Sequence, residues 1–233
     1  MKVGATVISS IEFHGRISLV IFMAKCPLRC PFCHNWELID GGEDKTLSEI
    51  FKLIDDDVDY IDAVAISGGE PLEQLEDLKE ILIYCKSLSL DTKLDTSGIY
   101  PERLNEIIGL VDYIAIDVKA PFDRYREIIG VDISDKVKES IEIANNSNNT
   151  FVECRTTYIP SLITPEDIAK IAEEIDCDCY TIQQFRNKNV LDESLEDIES
   201  PNPNELREIA ISIKDKFKQV KIKTAEFGEE IIE

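Results

Sequence analysis

Three cysteines crowded into eight residues are the densest group of reactive side chains in the sequence. Cys26, Cys30 and Cys33 lie in the stretch MAKCPLRCPFCHN with the spacing C-x3-C-x2-C. Thiolates this close can converge on one soft-metal centre from a single loop. A structural zinc site needs a fourth Cys or His, and neighbouring loop residues such as Cys33 and His34 rarely bind one metal together. Three interpretations stay open: a zinc site, a redox pair at Cys30 and Cys33, or a 4Fe–4S cluster with one iron free.

The other four of the seven cysteines are spread along the chain. Cys85 lies in a helical pattern and Cys154 in a strand pattern, which is typical of core residues. Cys177 and Cys179 could supply ligands, although C-x-C at the start of a strand is more often packing. An odd number of cysteines without an export signal favours metal binding or catalysis over disulfides.

Two glycines and a carboxylate in SGGEPL (67–72) form a second candidate site. Gly68 and Gly69 would let the backbone approach a ligand closely, and Glu70 would add a carboxylate beside them. A tight turn alone explains the glycine pair. It explains Glu70-Pro71 at the end of a strand less well.

Charged residues also end the next two predicted strands, in LDTSG (94–98) and IDVKAP (116–121). Asp95 and Asp117, with Thr96 and Lys119, indicate either a small polar ligand site or a rim of salt bridges. Arg155 lies on a strand expected to be buried, so its guanidinium needs an anionic ligand or a carboxylate partner. A rim Asp and a ligand are equally good partners.

Short β-branched runs alternate with helical patterns throughout, which predicts a parallel sheet with helices outside it. The predicted strands span 17–24, 62–68, 92–97, 112–119, 150–159, 178–185 and 220–227. The predicted helices span 46–57, 71–88, 101–108, 134–145, a segment from Thr164, and 204–216. We therefore expect one α/β domain over residues 1–233, a full or partial βα barrel with a cysteine loop at 24–36 and a polar loop at 187–204. Chemistry in such barrels collects at the carboxyl ends of the strands.

The composition of the 233 residues narrows the classes of function. The chain is 43% hydrophobic and carries 25 basic against 47 acidic residues, a formal charge of −22. This composition supports a substantial core and argues against nucleic acid and anionic membranes as partners. The most apolar run, ISLVIFMA, is too short to span a bilayer. With no secretory signal visible, we expect a cytoplasmic protein.

With these motifs together, the sequence resembles the radical S-adenosylmethionine (SAM) superfamily. The resemblance rests on C-x3-C-x2-C after a first strand, with Phe32 before the last cysteine. The CHN at 33–35 narrows it to the activating enzymes of glycyl-radical enzymes. The pattern is most similar to the anaerobic ribonucleoside-triphosphate reductase activating proteins, with pyruvate formate-lyase activating enzyme as a cousin. It extends from FHGRISLVIF to KTAEFGEE and implies a partial (βα)6-type TIM barrel.

The resemblance implies a 4Fe–4S cluster on Cys26, Cys30 and Cys33, with SAM chelating the open iron. An electron from ferredoxin or flavodoxin would cleave SAM to methionine and a 5′-deoxyadenosyl radical. That radical would take hydrogen from a glycine Cα of a partner, here an anaerobic ribonucleotide reductase. No catalytic residue beyond the cluster and SAM is implied.

The same resemblance assigns SAM contacts to six residues. Phe32 would pack on the adenine, the loop of Gly68, Gly69 and Glu70 would meet the amino group, Lys119 would pair with the carboxylate, and Arg155 would lie near SAM. Pyruvate formate-lyase activating enzyme is similar at a further site. That similarity implies a monovalent cation (Na or K) held by Asp95, Thr96, Asp117 and the carbonyl of Ala115, since hard oxygen ligands suit such a cation.

Several residues and two other functions stay open. His34 and Asn35 would position the substrate or tune the cluster. Gln183, Gln184 and Arg186 lie at the carboxyl end of the predicted strand 178–185. The cousin enzyme has histidine where Arg186 stands. The alternatives are a radical SAM enzyme for a small molecule or RNA base, as in deazaguanine biosynthesis, and a non-catalytic Fe–S or zinc scaffold. A scaffold would need the cysteines but not Gly68-Gly69-Glu70 or the two aspartates.

Overall fold

The sheet at the centre of the protein takes strands from nearly the whole chain. The computed structural model describes residues 1–233. The strands are β1 (Lys2–Ser9), β2 (Ser18–Met23), β3 (Glu43–Asp44), β4 (Ala63–Gly68), β5 (Asp91–Thr96), β6 (Tyr113–Asp117), β7 (Phe151–Tyr158), β8 (Cys179–Gln184), β9 (Gln219–Thr224) and β10 (Gly228–Ile231). The helices are α1 (Leu47–Asp57), α2 (Leu75–Ser87), α3 (Pro101–Ile107), α4 (Tyr125–Ile128), α5 (Ser134–Asn145), α6 (Pro165–Glu174) and α7 (Pro203–Ile213).

The order of strands defines a partial barrel. It runs β10-β9-β8-β7-β6-β5-β4-β2-β1-β3, so β10 and β3 are the two outer strands. Seven strands, from β2 through β4 to β9, are parallel to their neighbours. Helices fill the six crossovers between them, whereas β1, β3 and β10 are added antiparallel. The α/β fold with a parallel sheet and external helices is the predicted one.

Local sequence explains where the helices begin. Thr46 caps α1 through a capping box with Glu49, and Thr164 caps α6 in the same way with Asp167. Asn202 caps α7, and Pro203 takes the first helical position. Such caps satisfy backbone N–H groups that have no partner within the helix. These three helices therefore start where a short polar residue follows a strand or loop. None of the helices is long and apolar enough to cross a membrane.

The two faces of the parallel strands differ sharply. The face toward the helices carries apolar side chains such as Ile66, Leu94 and Ile116, all fully buried in one continuous core. The inner face of the same strands carries Asp95 and Asp117, which line a cavity. Since side chains alternate across a strand, adjacent residues serve the core and the cavity.

All seven predicted strands and six predicted helices are confirmed within a few residues, but β1, β3 and β10 were not predicted. β1 is mostly exposed, with Val7 and Ile8 about half accessible, so its sequence lacks the pattern of a buried strand. β10 is four residues long and holds two glutamates. Both strands form by pairing with a neighbour rather than by burying apolar side chains.

Candidate active site

The predicted site residues gather around one cavity at the carboxyl ends of the parallel strands. Its volume is about 380 Å³. Fifteen residues that the sequence singled out line it: Cys26, Cys30, Phe32, Cys33, His34, Asn35, Gly68, Gly69, Asp95, Thr96, Asp117, Lys119, Arg155, Gln183 and Arg186. The motifs, which follow separate strands in the sequence, therefore lie together at the ends of those strands in the structure.

The loop that carries the cysteines is fixed at its start by backbone hydrogen bonds. Lys25 has a φ of 72°, the left-handed region that costs an ordinary side chain about 1–2 kcal/mol. Its N–H donates to the carbonyl of Leu38 at 2.7 Å, and its carbonyl accepts from the Glu70 N–H at 2.8 Å. The turn at Lys25 thus joins the cysteine loop to the end of β4.

Gly68 and Gly69 allow this close approach. A Cβ on Gly68 would lie 2.3 Å from the Met23 carbonyl oxygen, and one on Gly69 would lie 2.3 Å from the Lys25 carbonyl oxygen. Gly68 also has a φ of 113°, which L side chains rarely adopt. The glycines therefore bring two backbone segments together, in addition to presenting backbone to the cavity.

Glu70 lies behind this loop and does not line the cavity. Its fully buried carboxylate accepts hydrogen bonds from Leu72 N–H, the Thr96 hydroxyl, and both the N–H and hydroxyl of Ser97. Burial nevertheless raises the pKa of Glu70, against the opposing effect of these donors. Glu70 is not among the residues that line the cavity, and the contact of its loop with SAM stays a prediction. The carboxylate instead ties β4 to the end of β5.

A chain of ion pairs crosses the inner face of the sheet. Lys93 lies 3.1 Å from Asp95, Arg155 lies 3.3 Å from Asp95 and 2.9 Å from Asp117, and Lys119 lies 3.1 Å from Asp117. Arg155 therefore takes the rim aspartates as partners, one of the two alternatives its burial required. Three cationic side chains face two carboxylates along this chain, so one positive charge is left over at the cavity.

These ion pairs determine the charge states of Asp95, Asp117 and Lys119. Burial alone would raise the pKa values of Asp95 and Asp117, but Arg155, with Lys93 on one side and Lys119 on the other, holds both below their ordinary range. Burial would lower the pKa of Lys119, but Asp117 and the Cys30 thiol raise it. Both aspartates are therefore anionic and Lys119 is cationic at neutral pH. Asp95 Oδ1 is buried and makes no hydrogen bond, although it faces the Lys93 ammonium.

Comparison with known proteins decides what kind of site this is. The family model described as the Radical SAM superfamily matches residues 20–176, two thirds of the chain. The chain belongs to the radical SAM superfamily. A protein of Methanocaldococcus jannaschii, provisionally named a glycyl-radical enzyme activating enzyme, is 40% identical over 232 residues, which is 95% of both chains.

Two further comparisons cover different parts of this radical SAM protein. Pyruvate formate-lyase-activating enzyme of Clostridium pasteurianum is 35% identical over 136 residues, 53% of this chain and 57% of that one. The crystal structure of Streptococcus suis SuiB bound to S-adenosylmethionine superposes with a TM-score of 0.67 at 18% identity. That match covers 89% of this chain and 50% of SuiB, and it shows a shared fold. The first relatives place the protein with the glycyl-radical activating enzymes of the superfamily.

Membership implies a 4Fe–4S cluster and SAM, and the cavity fits them. Burial raises the pKa of Cys26 to about 12 and also raises the pKa values of Cys30 and Cys33, while the Lys119 ammonium opposes this in all three. Lys119 is thus a positive charge shared by the three thiols, which would stabilise an anionic thiolate-bound group. No three His, Cys, Asp or Glu side chains converge closely enough to hold a single ion. A cluster is larger and binds each thiolate through a different iron.

The polar loop at 187–204 packs against the cysteine loop of this radical SAM site. The Asp192 N–H donates to the Pro31 carbonyl at 2.9 Å, and the Trp36 indole donates to Asn189 at 3.3 Å. The Asn35 amide donates to the Gly68 carbonyl at 3.3 Å. The CHNW segment is therefore held from both sides, and the loop forms part of the rim.

The other four cysteines do not contribute to the site. Cys85, Cys154, Cys177 and Cys179 are buried away from the cavity, and the Cys177 thiol donates to the Cys179 carbonyl. Three charged residues at or beside the cavity lie outside the motifs: Lys93, Glu12 and Lys223. Lys93 is two residues before Asp95, so strand alternation could have placed it on the inner face. Glu12 lies on the loop between β1 and β2, and β1 itself was missed.

Proposed function

We propose that this protein activates a glycyl-radical enzyme, specifically an anaerobic ribonucleotide reductase, with residues 1–233 acting as one domain. Three thiols, the Lys119 ammonium and a glycine-lined backbone loop around a single cavity carry the proposal. Similarity over 95% of the chain to a protein named for this activity supports the class of partner. When bound, the cluster and SAM would supply reductive C–S cleavage and hydrogen abstraction from a glycine Cα of the partner.

The chain's own residues bind and orient. Cys26, Cys30 and Cys33 would hold the cluster, and the Lys119 ammonium would pair with the SAM carboxylate. The Gly69 backbone faces the cavity and would accept from the SAM amino group. Phe32 is 7% exposed and would cover the adenine and exclude water. Arg155 would fix both rim aspartates and lie beside the SAM carboxylate.

A monovalent cation at Asp95, Thr96, Asp117 and the Ala115 carbonyl stays a prediction. The buried Asp95 Oδ1 lies 3.1 Å from the Lys93 ammonium, which already compensates its charge. The Thr96 hydroxyl donates to Glu70, and Arg155 bridges the two aspartates. Binding of Na or K would require Arg155 to turn away from one aspartate, toward the SAM carboxylate.

Anaerobic reconstitution with iron and sulfide, followed by dithionite and SAM, tests the reaction. We expect 5′-deoxyadenosine, and a glycyl radical by electron paramagnetic resonance on an added anaerobic ribonucleotide reductase. Ferredoxin or flavodoxin should replace dithionite. Zinc binding without 5′-deoxyadenosine would overturn the radical SAM chemistry, whereas 5′-deoxyadenosine without the glycyl radical would overturn the choice of partner.

A further inference from the structure

A second cavity opens beside the first and differs from it in chemistry. It has a volume of about 590 Å³, and none of its lining side chains is hydrophobic. We call it the basic recess. Five of its eight lining residues also line the cysteine cavity, so the two spaces adjoin: His34, Thr157, Gln183, Arg186 and Lys223. The other three are Gln184, Asn187 and Lys188.

No acidic side chain lines the basic recess, although the chain holds 47 acidic residues against 25 basic ones. Lys223 has one carboxylate partner, Glu12, at 3.6 Å. Arg186 and Lys188 are exposed and form no ion pair. Two unpaired cations thus lie at the mouth of one cavity, while nearby carboxylates are engaged by neutral donors: Glu226 accepts from the Gln184 amide and Glu196 from the Asn189 N–H.

An anion is the ligand that this lining suits. A guanidinium presents planar paired donors to a carboxylate, and an ammonium adds a point charge beside it. The overall negative charge of the protein does not prevent such binding, because salt screens charges beyond about 8 Å at physiological ionic strength. A carboxylate entering the recess would therefore meet mainly the local cations.

An occupant of the recess would lie beside the cysteine cavity, since the two spaces share five lining residues. Thr157 and Gln183 offer a hydroxyl and an amide, groups that pair with a peptide main chain. On the proposed function, the polypeptide that enters presents a glycine to the first cavity. We propose that the basic recess binds a carboxylate of this polypeptide, an Asp or Glu side chain or a chain terminus a few residues from the target glycine. This inference rests on the proposed function and adds a recognition feature of the partner.

Binding to the anaerobically reconstituted protein tests this with defined probes. Two blocked pentapeptides would be compared, each with a central glycine and differing only in Glu or Gln two residues away. A third peptide with Gln and a free carboxyl terminus separates a side-chain carboxylate from a terminal one. Fluorescence of Trp36 reports binding, because it is the single tryptophan and its indole contacts Asn189, next to Lys188. We expect a Glu or free-terminus peptide to bind at least tenfold more tightly than the blocked Gln peptide.

The matched variants are Arg186→Gln/Lys188→Gln and, as the control, Arg126→Gln/Lys136→Gln. The control also removes two exposed cations without ion pairs, and neither lines the cavities. The recess variant should lose at least tenfold in affinity for the acidic peptide, the control less than twofold, and Arg186→Lys/Lys188→Arg should restore most of the binding. Thermal unfolding checks that each variant is folded.

Four outcomes would overturn the proposal. They are equal binding of acidic and neutral peptides, equal loss in the control, binding of inorganic phosphate with no peptide binding, and loss of SAM affinity with unchanged peptide affinity. The last would assign the two cations to the cofactor. The proposed function is judged separately, by 5′-deoxyadenosine formation in the wild-type protein without any peptide. Peptide discrimination with no 5′-deoxyadenosine would thus reject the function, and the reverse result would reject the recess alone.

Discussion

The two faces of β5, β6 and β7 come from alternating residues of the same segments, yet their contents are opposite. Leu94, Ile116 and Cys154 are fully buried against the helices. Their neighbours Asp95, Asp117 and Arg155 form the charged inner face. The outer face is stabilised by removing apolar surface from water, whereas the inner face holds desolvated charges that each depend on a partner.

The inner face is therefore more sensitive to substitution than the outer face. Replacing the buried ion Arg155 removes its attractions and leaves each former partner dependent on a single remaining ion pair. A methyl group lost from the outer face leaves only a small cavity. The comparison predicts that inner substitutions change ligand binding and stability together, while outer substitutions change stability alone.

The largest effect is expected at the thiols. Alanine at Cys26, Cys30 or Cys33 should each abolish binding of the reconstituted cluster, because every thiolate holds a different iron. Iron and sulfide analysis with the visible absorbance of the cluster provides the measurement. Cys85→Ala is the matched control, since Cys85 is buried in α2 and away from the cavity. Loss of the cluster in Cys177→Ala or Cys179→Ala would contradict this ligand set.

The next effect tests the comparison of faces directly. Arg155→Gln should lower the free energy of unfolding by about 1.5–3 kcal/mol, because Asp95 and Asp117 lose their common charged donor and keep only one lysine each. SAM affinity should fall as well. Ile116→Val, on the outer face of the adjacent strand, should cost about 0.5–1.5 kcal/mol and leave SAM affinity unchanged. Urea unfolding and equilibrium dialysis measure the two quantities.

A loss below about 1 kcal/mol for Arg155→Gln, the size of an exposed ion pair, would contradict this view of the inner face. Repeating the unfolding in potassium and in choline salts sharpens the result. Greater stability of the variant in potassium would mean that a cation replaces the guanidinium between the aspartates. The same stability in both salts would count against the predicted cation ligands.

The sequence was sufficient for the chemistry of the site because its residues lie in short motifs at strand ends. Cys26 to Cys33, Gly68 and Asp95 could be placed from spacing and strand order alone. Contacts set by tertiary geometry could not. The Glu70 side chain lies behind its loop because Ser97 donates a hydrogen bond to it. Arg186 and Lys223 line the same cavities because β8 pairs with β9. Side-chain direction and cavity shape follow from the assembled sheet, not from any single segment.

A comparable effect on stability is expected at Gly68, the last residue of β4. Gly68→Ala should cost about 2–4 kcal/mol, since the added Cβ would press on the Met23 backbone in a strained conformation. The cysteine loop would shift, so cluster content should also fall. Gly109→Ala is the control: its Cβ would meet no atom within 4 Å, so stability should be unchanged or slightly higher. Equal stability of the two variants would show that the loop can move away without loss.

The smallest effect on stability is expected in the loop between β1 and β2, which contacts charged side chains of the inner face through Glu12. Glu12 contributes two different contacts: its carbonyl accepts from the buried Lys93 ammonium at 2.5 Å, and its carboxylate lies 3.6 Å from Lys223. Glu12→Gln removes only the second, a partly exposed pair worth at most about 1 kcal/mol. Urea unfolding should show a change within that limit, and added salt should abolish it. A larger, salt-independent loss would mean that the Glu12 carboxylate belongs to the buried charge network and that this network extends to the loop.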